Sequence, residues 1–487
     1  MLPRHVRIAL LGAFAACFFG PARGDVLLDW NALMIDGIRT DNSGPTLSTR
    51  NLTMLHVAIH DAVQSIVRTH QPYGIRVPVT EEASVEAAAA SAAYEVTSVL
   101  YPSMRARTED LWLLHRTMAG ETAAVTHGIA VGREAARWLL TSRAADGSQT
   151  EVPYIPSDLP GQWRRTPPFF RPPLTPHWRH VIPFCLPGLE SFMPPPPPAL
   201  DSVEYAEALN EVKAIGARNS TVRTAEQGLV AQFWSDFSYT SMPPGHWHLI
   251  AATIARDQGN TLVENARLFA LLSLAQADAA ILCWEVKFRH NLWRPVTAIH
   301  RADEDGNPLT EADPTWEQYL PSPPFPAYTS GHSTFSGASA RVLTHFYGTD
   351  ALTFVATSDT LPGVFRTFHS LAECADEVGM SRIYGGFHFQ FDNVWGKDGG
   401  RRIGDYVSAH FLLPEAELPR VWIEAWQNEV PRLRIHGRIG RPCRLQVSED
   451  LEEWETILEA TALSGGMTHL DSGAVGQATR FYRVVEE

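Results

Sequence analysis

Apolar residues recur at three- and four-residue spacing between Leu27 and Arg143, a period that only an α-helix places on one face. The segments NLTMLHVAIHDAVQSIV and EEASVEAAAASAAYEVTSVL carry it, and the alanines of the second favour helix and leave room for close packing. The pattern returns from Ser202, is interrupted at SMPPGHWH and resumes through NTLVENARLFALLSLAQADAAILCWEVKF. The sequence therefore predicts a mainly α protein built as a helical bundle.

Two other regions lack the helical period. Prolines recur from Pro153 to Leu200, ending in the run Pro194 to Pro198, and predict an extended segment over the bundle surface. No segment before Leu413 alternates long enough to indicate a sheet. After about Pro419 come the short alternating segments RLRIHG, CRLQVS, WETIL and RFYRVV, separated by turn residues. We expect a helical domain over residues 25–418 and a small, β-sandwich-like C-terminal module over 419–487.

The first 24 residues have the pattern of an export signal. Arg4 and Arg7 precede the apolar run IALLGAFAACFFG, and the small-residue segment PARG follows. A buried N-terminal helix is the alternative. The run is too short for a lasting membrane anchor, and we expect no membrane span later in the chain. These features predict a signal peptide at residues 1–24 and a secreted or periplasmic protein.

Charge and cysteine usage narrow the function classes. The net charge of -14 argues against nucleic acid as a partner. Cys185, Cys283, Cys374 and Cys443 are widely spaced and form no C-x-x-C pair. This spacing excludes a zinc ribbon and leaves disulfides open.

Three separate segments carry groups that suit a tetrahedral oxyanion. In WEVKFRHNLWRP, Lys287 lies seven residues before Arg294, so two helical turns place both cations on one face together with Trp284. Pro295 disfavours helix at Arg294, which predicts that the helix ends there and that the guanidinium turns into a pocket.

The second segment is FPAYTSGHSTFSGASARVL, in which a loop runs into a helix at Ser330, Gly331 and His332. A helix N-terminus offers unpaired N–H groups and attracts anions. The hydroxyl of Ser330 can donate, and His332 can exchange protons with a bound species.

The third segment is SRIYGGFHFQFDN, in which Gly385 and Gly386 permit a tight reversal between Arg382 and His388. A lone histidine is usually a core residue and a lone arginine is usually solvated. The interpretation rests on the whole set, because five or six charge-assisted donors can hold a multiply charged oxyanion in an acidic protein.

The order Lys-x6-Arg-Pro, Ser-Gly-His and Ser-Arg-x5-His resembles the signature of the vanadium haloperoxidase and type 2 phosphatidate phosphatase superfamily. The segments HVAIHDAV, PPGHW and GGFHF are also similar to haloperoxidase segments, and the resemblance covers roughly residues 25 to 412. It implies the family fold, in which two four-helix bundles are expected. One departure is Thr329, which stands where the family usually has proline before Ser-Gly-His.

The resemblance also implies the cofactor and the site residues. Vanadate would be the cofactor, with His388 bound to vanadium and His332 as the acid/base residue. The substrates would be hydrogen peroxide, a halide and a small organic acceptor, halogenated by a hypohalous species. The residues expected to hydrogen-bond the vanadate oxygens are Lys287, Arg294, Ser330, Gly331 and Arg382.

Trp284 and Phe325 match pocket aromatics of the chloroperoxidase type, so they are expected to line a halide pocket. They slightly favour chloride as a substrate in addition to the bromide that the family resemblance implies. Both are equally compatible with plain core aromatics. Asp236, in FWSD, is open to two interpretations, a partner of an active-site arginine or a surface carboxylate.

Two rival functions remain open for the helical domain. Phosphate shares the shape and charge of vanadate, so an acid phosphatase using His388 as nucleophile is the nearer alternative. The other is a non-catalytic oxyanion-binding protein, in which His332 is structural. For the C-terminal module the hypotheses are a surface- or glycan-binding domain and a spacer retained for export, and the number of subunits is undetermined.

Overall fold

The computed structural model describes residues 25–415, 419–427, 430–436, 442–461, 467–477 and 479–486. The predicted signal peptide lies outside the described residues, and the predicted domain boundary at 418/419 borders residues that also lie outside them, so both stay predictions. The mainly helical fold is confirmed. The α-helices of the described part of the chain are α1 Val26–Thr40, α2 Pro45–Val67, α3 Val85–Leu100, α4 Arg105–Ala119, α5 Ala123–Ser142, α6 Val203–Ile215, α7 Ala225–Phe233, α8 Met242–Gln258, α9 Leu262–His290, α10 Pro295–His300, α11 Gly331–Tyr347, α12 Leu371–Tyr384 and α13 Gln390–His410.

The central helix is α9, the one described helix that is long and apolar enough to cross a membrane, and its apolar part is buried inside the protein. It starts at a capping box, in which Glu264 N donates to Thr261 Oγ1 at 3.3 Å and Thr261 N donates to the Glu264 carboxylate at 2.7 Å. It ends at His290, and the C-cap residue Asn291 has a left-handed φ of 51°. An all-round apolar helix has to be enclosed by other elements, and here α2, α11 and α13 pack around it.

The helices form two packed groups that share α9. In one group α2 packs on α3, α5 and α9, and in the other α11 packs on α9, α12 and α13. The helices α11 and α13 approach each other closely because a glycine on each helix faces the backbone of the other. A Cβ on Gly400 would lie 2.0 Å from the Thr334 carbonyl oxygen, and one on Gly337 would lie 2.3 Å from that of Lys397. This approach brings the N-termini of α11 and α13 together; the division into two four-helix bundles stays a prediction.

Two expectations about local structure were wrong. The segment SMPPGHWH does not interrupt a helix but lies in the start of α8, where prolines in the first turn lack only N–H groups that would have no helical partner. A sheet does occur before Leu413, as an antiparallel pair of β1 Phe354–Thr357 and β2 Phe365–Phe368. Four-residue strands are too short for their alternation to be recognised in a sequence.

The proline-rich segment between α5 and α6 has no α-helix and only two short 3-10 turns, at Pro176–His180 and Glu190–Phe192. It is tied to loops of the helical domain by backbone bonds, among them Leu174 N to the Pro324 carbonyl at 2.9 Å. It also carries buried side chains such as Trp163 and Trp178, so it is an integral part of the core.

The C-terminal strands are β3 Arg420–Gln427, β4 Val430–His436, β5 Pro442–Ser448, β6 Glu455–Thr461, β7 Met467–Leu470 and β8 Phe481–Glu486. They form two three-stranded antiparallel sheets, in the orders β3-β4-β7 and β6-β5-β8. Their small core contains Leu433, Ile435 and Leu445, which is compatible with the predicted β-sandwich-like module. Within the described residues, all four cysteines are buried thiols without disulfide partners.

Candidate active site

A cavity of about 280 Å³, called the central cavity below, lies where α9, α11 and α12 meet the loops between helices. Its inner end is polar and buried, and its outer rim is partly exposed. The residues predicted for the site that line it are Trp284, Phe325, Gly331, His332, Arg382 and His388.

His388 is oriented by hydrogen bonds at both ring nitrogens. Nδ1 lies 2.7 Å from Oδ2 of Asp392, and Nε2 lies 3.0 Å from Nη1 of Arg294. Because a guanidinium can only donate, Nε2 is the acceptor and Nδ1 carries the proton. Burial and the neighbouring cations hold the pKa of His388 well below its usual range. The ring is therefore neutral, and because the lone pair of Nε2 accepts from Arg294, an incoming ligand would have to take the place of that hydrogen bond.

Arg294 and Arg382 are buried cations whose hydrogen bonds are incomplete. Arg294 donates to the carbonyls of Phe325 and Phe387, both at 2.8 Å, and Arg382 donates to that of Trp234 at 2.5 Å. Nη2 of Arg294, and Nε and Nη2 of Arg382, have no partner. No described carboxylate lies within 4.0 Å of either guanidinium, and burial lowers the pKa of each to about 9.

Leaving a buried donor unsatisfied costs about 1–3 kcal/mol, and more for a charged group. The three free N–H positions are therefore arranged for an anion. Together with the N-terminus of α11, they are called the donor cluster below.

The N-terminus of α11 completes the donor cluster. Ser330 is the N-cap, and its Oγ accepts from Ser333 N at 3.3 Å. Ser333 Oγ donates its one proton to Asn393 Oδ1 at 2.9 Å, so the Ser330 hydroxyl, 2.9 Å from Ser333 Oγ, donates to it, and its role as a vanadate donor stays a prediction. A Cβ added to Gly331 would meet only ordinary contacts, the nearest at 3.7 Å, so its side faces open space in the cavity. Ser330 N donates to the Asp392 carbonyl at 3.0 Å, which joins this helix start to that of α13.

His332, the second residue of α11, lines the cavity and lies beside a buried carboxylate. Its Nε2 is 3.7 Å from Oδ2 of Asp236 and has no hydrogen-bond partner. Asp236 also pairs with Nδ1 of His246 at 3.1 Å. Burial, Arg382 and His246 lower the pKa of His332 well below its usual range, so it is a neutral base. Asp236 is buried, which makes the surface-carboxylate interpretation wrong, and its direct partner is a histidine.

Lys287 differs most from its expected placement. Its Nζ donates to the carbonyls of Pro326 at 2.9 Å and Ala327 at 3.0 Å, and also to that of Thr329. An ammonium has three protons, so all are used, and Lys287 does not line the cavity. Burial lowers its pKa to about 7. In this structure Lys287 holds the loop before Ser330, and its role as a vanadate donor stays a prediction.

The shared helical face predicted for Lys287 and Arg294 is not observed. The helix α9 ends at His290, and Arg294 is instead the N-cap of α10. Chain reversal at Asn291, not helical periodicity, turns the guanidinium towards His388.

The two aromatic residues predicted to line a halide pocket lie beside the cations. The rings of Trp284 and Phe325 are 5.0 Å apart, and Nζ of Lys287 and Cζ of Arg294 lie 5.0 and 5.1 Å from the Phe325 ring centre. Both aromatics border the cavity, so they are wall residues as well as core residues.

Sequence reasoning missed Asp392 and His246. Asp392 follows His388 by four residues at a helix start, a spacing that could have indicated a histidine–carboxylate pair. No local signal links His246 to Asp236, because a left-handed residue, φ 43° at Asp236, turns the carboxylate back towards α8.

Comparisons with known proteins identify relatives of this chain. Residues 267–413 match the family described as the VCPO second helical-bundle domain. The vanadium chloroperoxidase of Curvularia inaequalis is 27% identical over 491 aligned positions, covering 76% of this chain and 80% of the relative. A crystal structure described as that of the first bacterial vanadium-dependent iodoperoxidase is 30% identical, with a TM-score of 0.71, covering 80% of this chain and 97% of that one.

The chain belongs to the vanadium haloperoxidase family.

Within this family a more distant structure, a holo-type bacterial vanadium-dependent chloroperoxidase, is 18% identical with a TM-score of 0.61 over 75% of this chain and 92% of that one, and supports the fold alone. The matched family segment begins in α9 and ends after α13, so it contains Lys287, Arg294, Ser330, Arg382 and His388. The donor cluster of this haloperoxidase family member therefore lies in the segment that the family shares.

Proposed function

We propose that the protein is a vanadate-dependent haloperoxidase that oxidises halide with hydrogen peroxide, giving a hypohalous species that halogenates organic acceptors. The observation that carries the proposal is the set of unpartnered, buried N–H groups of Arg294 and Arg382 around Nε2 of His388. The balanced reaction consumes one halide, one hydrogen peroxide and one proton, and yields hypohalous acid and water.

The cofactor is vanadate, a multiply charged tetrahedral oxyanion that fits the donor cluster. His388 would bind vanadium through Nε2, and Arg294, Arg382, Ser330 and the N–H of Gly331 would hold the oxygens, with Lys287 also predicted to do so. When bound, vanadate supplies a Lewis acid that makes peroxide more electrophilic towards halide. The buried cations offset the negative charge of the oxyanion in a protein whose net charge is -14.

Side chains of the protein itself accept the proton from peroxide and return it to the leaving oxygen. Nε2 of His332 is unpartnered and neutral, so it accepts a proton from hydrogen peroxide as the peroxide enters. The carboxylate of Asp236, 3.7 Å away, stabilises the imidazolium that results. The same proton is then available to the oxygen that leaves as water.

For the halide we propose bromide, with chloride as a further substrate. Trp284 and Phe325 give the cavity a wall that offers no hydrogen bonds to a halide's hydration shell, and Arg294 supplies positive charge beside it. Rates with iodide, bromide and chloride at one peroxide concentration would measure the preference.

The alternative is a phosphomonoesterase, because the same donors suit phosphate and the neutral Nε2 of His388 can act as a nucleophile when the hydrogen bond from Arg294 is displaced. The deciding experiment compares bromination of a dimedone-type acceptor after vanadate addition with hydrolysis of nitrophenyl phosphate by the same preparation. Bromination that depends on vanadate, peroxide and bromide supports the peroxidase. Hydrolysis without bromination overturns it.

The expectations of export and of a C-terminal module that binds a surface or glycan are also proposals, resting on residues 1–24 and on the pattern of residues 419–487. Fractionation of cells that express the full chain, and pull-down on polysaccharides, would test them.

A further inference from the structure

We propose that His246 is a positioning residue of the anion site: by holding the carboxylate of Asp236, it keeps that carboxylate off Arg382 and leaves the arginine free to bind the oxyanion. The inference deepens the proposed function, on which it rests, because it concerns the donor cluster that would hold the vanadate oxygens. His246 is not among the residues that line the central cavity, so it acts through Asp236 and touches no reactant.

The first step is that Asp236 lies beside Arg382. Residues 234–236 form the turn after α7, and the carbonyl of Trp234 accepts the hydrogen bond from Nη1 of Arg382 at 2.5 Å. Asp236 and Arg382 are both buried and line the same cavity. Burial lowers the pKa of Arg382, and the charge of Asp236 acts in the opposite direction, as expected for opposite charges that lie near each other.

Despite this proximity, Asp236 and Arg382 do not form an ion pair. In the described part of the chain no carboxylate lies within 4.0 Å of the Arg382 guanidinium, whose Nε and Nη2 have no hydrogen-bond partner. A buried carboxylate beside unsatisfied guanidinium N–H groups would gain strong, charge-assisted hydrogen bonds from them. A competing partner therefore holds Asp236 in place.

His246 on α8 is that partner. Its Nδ1 lies 3.1 Å from Oδ1 and 3.4 Å from Oδ2 of Asp236, and because an ionised carboxylate only accepts, Nδ1 is the donor. Although burial lowers it, the charge and the hydrogen bond of Asp236 raise the pKa of His246 above its usual value. The contact is therefore charge-assisted in its own right and competes with Arg382 for the carboxylate.

The imidazole and the turn that carries Asp236 are both fixed in place. The ring of His246 packs on the ring of Trp234, with 4.6 Å between their centres. Ser235, next to Asp236, donates from Oγ to Oγ1 of Thr360 at 2.9 Å. Because the carboxylate is held before any anion enters, the free N–H groups of Arg382 need no rearrangement to bind one.

The first test measures the Kd for inorganic phosphate by titration calorimetry in His246→Phe and His246→Asn. Phenylalanine keeps a ring but cannot donate, so Asp236 should turn to Arg382 and the Kd should rise about tenfold, the loss of one charge-assisted bond. Asparagine offers an amide N–H in place of Nδ1 and should recover most of this affinity. A Kd in His246→Phe equal to that of the wild type overturns the inference.

The matched control is His115→Phe. It replaces a buried histidine of α4 whose Nε2 lies 3.4 Å from Oδ2 of Asp29, outside the cavity. The loss of a buried histidine beside a carboxylate is thus reproduced away from the anion site, and the Kd for phosphate should stay at the wild-type value.

The second test separates positioning from a purely structural role of His246. In an Asp236→Ala background no carboxylate remains to occupy Arg382, so the further change His246→Phe should leave the Kd for phosphate unchanged. An affinity loss of about tenfold that persists without Asp236 would show that His246 supports the fold alone, and the inference would fail.

Should His246→Phe not fold, a crystal structure of the wild type with phosphate tests the same point. Phosphate oxygens that accept from Nε and Nη2 of Arg382, with Asp236 still on His246, support the inference, whereas Asp236 bound to Arg382 overturns it. A wild-type protein that binds neither phosphate nor vanadate would instead overturn the proposed function itself.

Discussion

Oδ2 of Asp392 accepts a hydrogen bond from Nδ1 of His388 at 2.7 Å and a second from the backbone N–H of Phe389 at 3.0 Å. The carboxylate thus fixes both the tautomer of the imidazole and its position at the start of α13. Although burial raises the pKa of Asp392 to about 7, either protonation state leaves an oxygen able to accept at this position.

Removal of this carboxylate should weaken cofactor binding. Loss of the group that orients a metal-binding histidine typically costs 10–100-fold in affinity, so Asp392→Ala should raise the Kd for vanadate by about that factor. Asp392→Asn keeps an acceptor and should cost less. Equilibrium dialysis measures the Kd, and Asp398→Ala, at an exposed ion pair on the same helix, is the control. Wild-type affinity in Asp392→Ala would show that the pair has no such role.

The incomplete hydrogen bonds of Arg382 predict a loss of anion affinity on substitution. Arg382→Lys cannot present both Nε and Nη2 to the anion, and each charge-assisted bond is worth roughly 1.5–3 kcal/mol. The Kd for vanadate and for phosphate should therefore both rise at least about tenfold in titration calorimetry. Arg341→Lys, at a partly exposed ion pair on α11, should leave both unchanged. If Arg382→Lys bound vanadate and phosphate as tightly as Arg341→Lys does, the anion would not bind at Arg382.

His332 distinguishes an enzyme from a binding protein. Because general acid–base groups contribute about 10²–10⁴-fold to rate, His332→Ala should lower kcat for bromide oxidation by about that range. Vanadate binding should persist. His345→Ala, on the exposed side of the same helix, provides the comparison and should remain active. If His332→Ala retained full activity, the acid/base role would have to be abandoned.

Burial of His60 on α2 predicts a loss of stability in acid. Burial lowers its pKa from 6.5 to about 4, so between these values the unfolded chain binds more protons than the folded one. Its contribution is complete above pH 6.5 and is lost as the pH falls to about 4, by up to about 3 kcal/mol. The gap in unfolding free energy between wild type and His60→Gln, from urea titrations at pH 7.5 and 4.5, should shrink accordingly.

The neighbouring Asp61 has the opposite pH effect, since burial raises its pKa to about 6. It is present in both proteins, so its contribution cancels in the comparison. A gap that stays constant with pH would mean that the pKa of His60 is the same in the folded and unfolded states.

Deletion of residues 420–487 should spare the chemistry. The donor cluster and the cavity are built from residues before Leu413, so the shortened protein should retain the Kd for vanadate and the rate of bromide oxidation. The deletion should begin before β3, because a chain that ended near Pro431 would keep β3 but lose most of its paired strand β4. Loss of vanadate binding by a shortened protein that is still helical by circular dichroism would contradict this.

The sequence was informative wherever the chemistry is local. Ser330 and Gly331 are recognisable because a small polar residue and a glycine begin a strongly patterned helix, and the helix starts there. His388 follows a glycine pair, and Gly386, with φ 86°, makes the reversal that the pair predicts.

Long-range contacts could not be deduced in the same way. Lys287 is held by three carbonyls some forty residues later in the chain, and nothing in its own segment indicates that its protons are used. Asp236 and His246 lie ten residues apart but meet through an irregular turn. Such pairings depend on how loops cross the core, which periodicity does not describe.

The backbone bond from Ser330 N to the carbonyl of Asp392 has a mechanical consequence. Asp392 accepts a hydrogen bond from the imidazole of His388 with its side chain and one from the backbone N–H of Ser330 with its carbonyl. This one residue therefore joins the starts of α11 and α13. A shift of α13 would carry both parts of the anion site along with it.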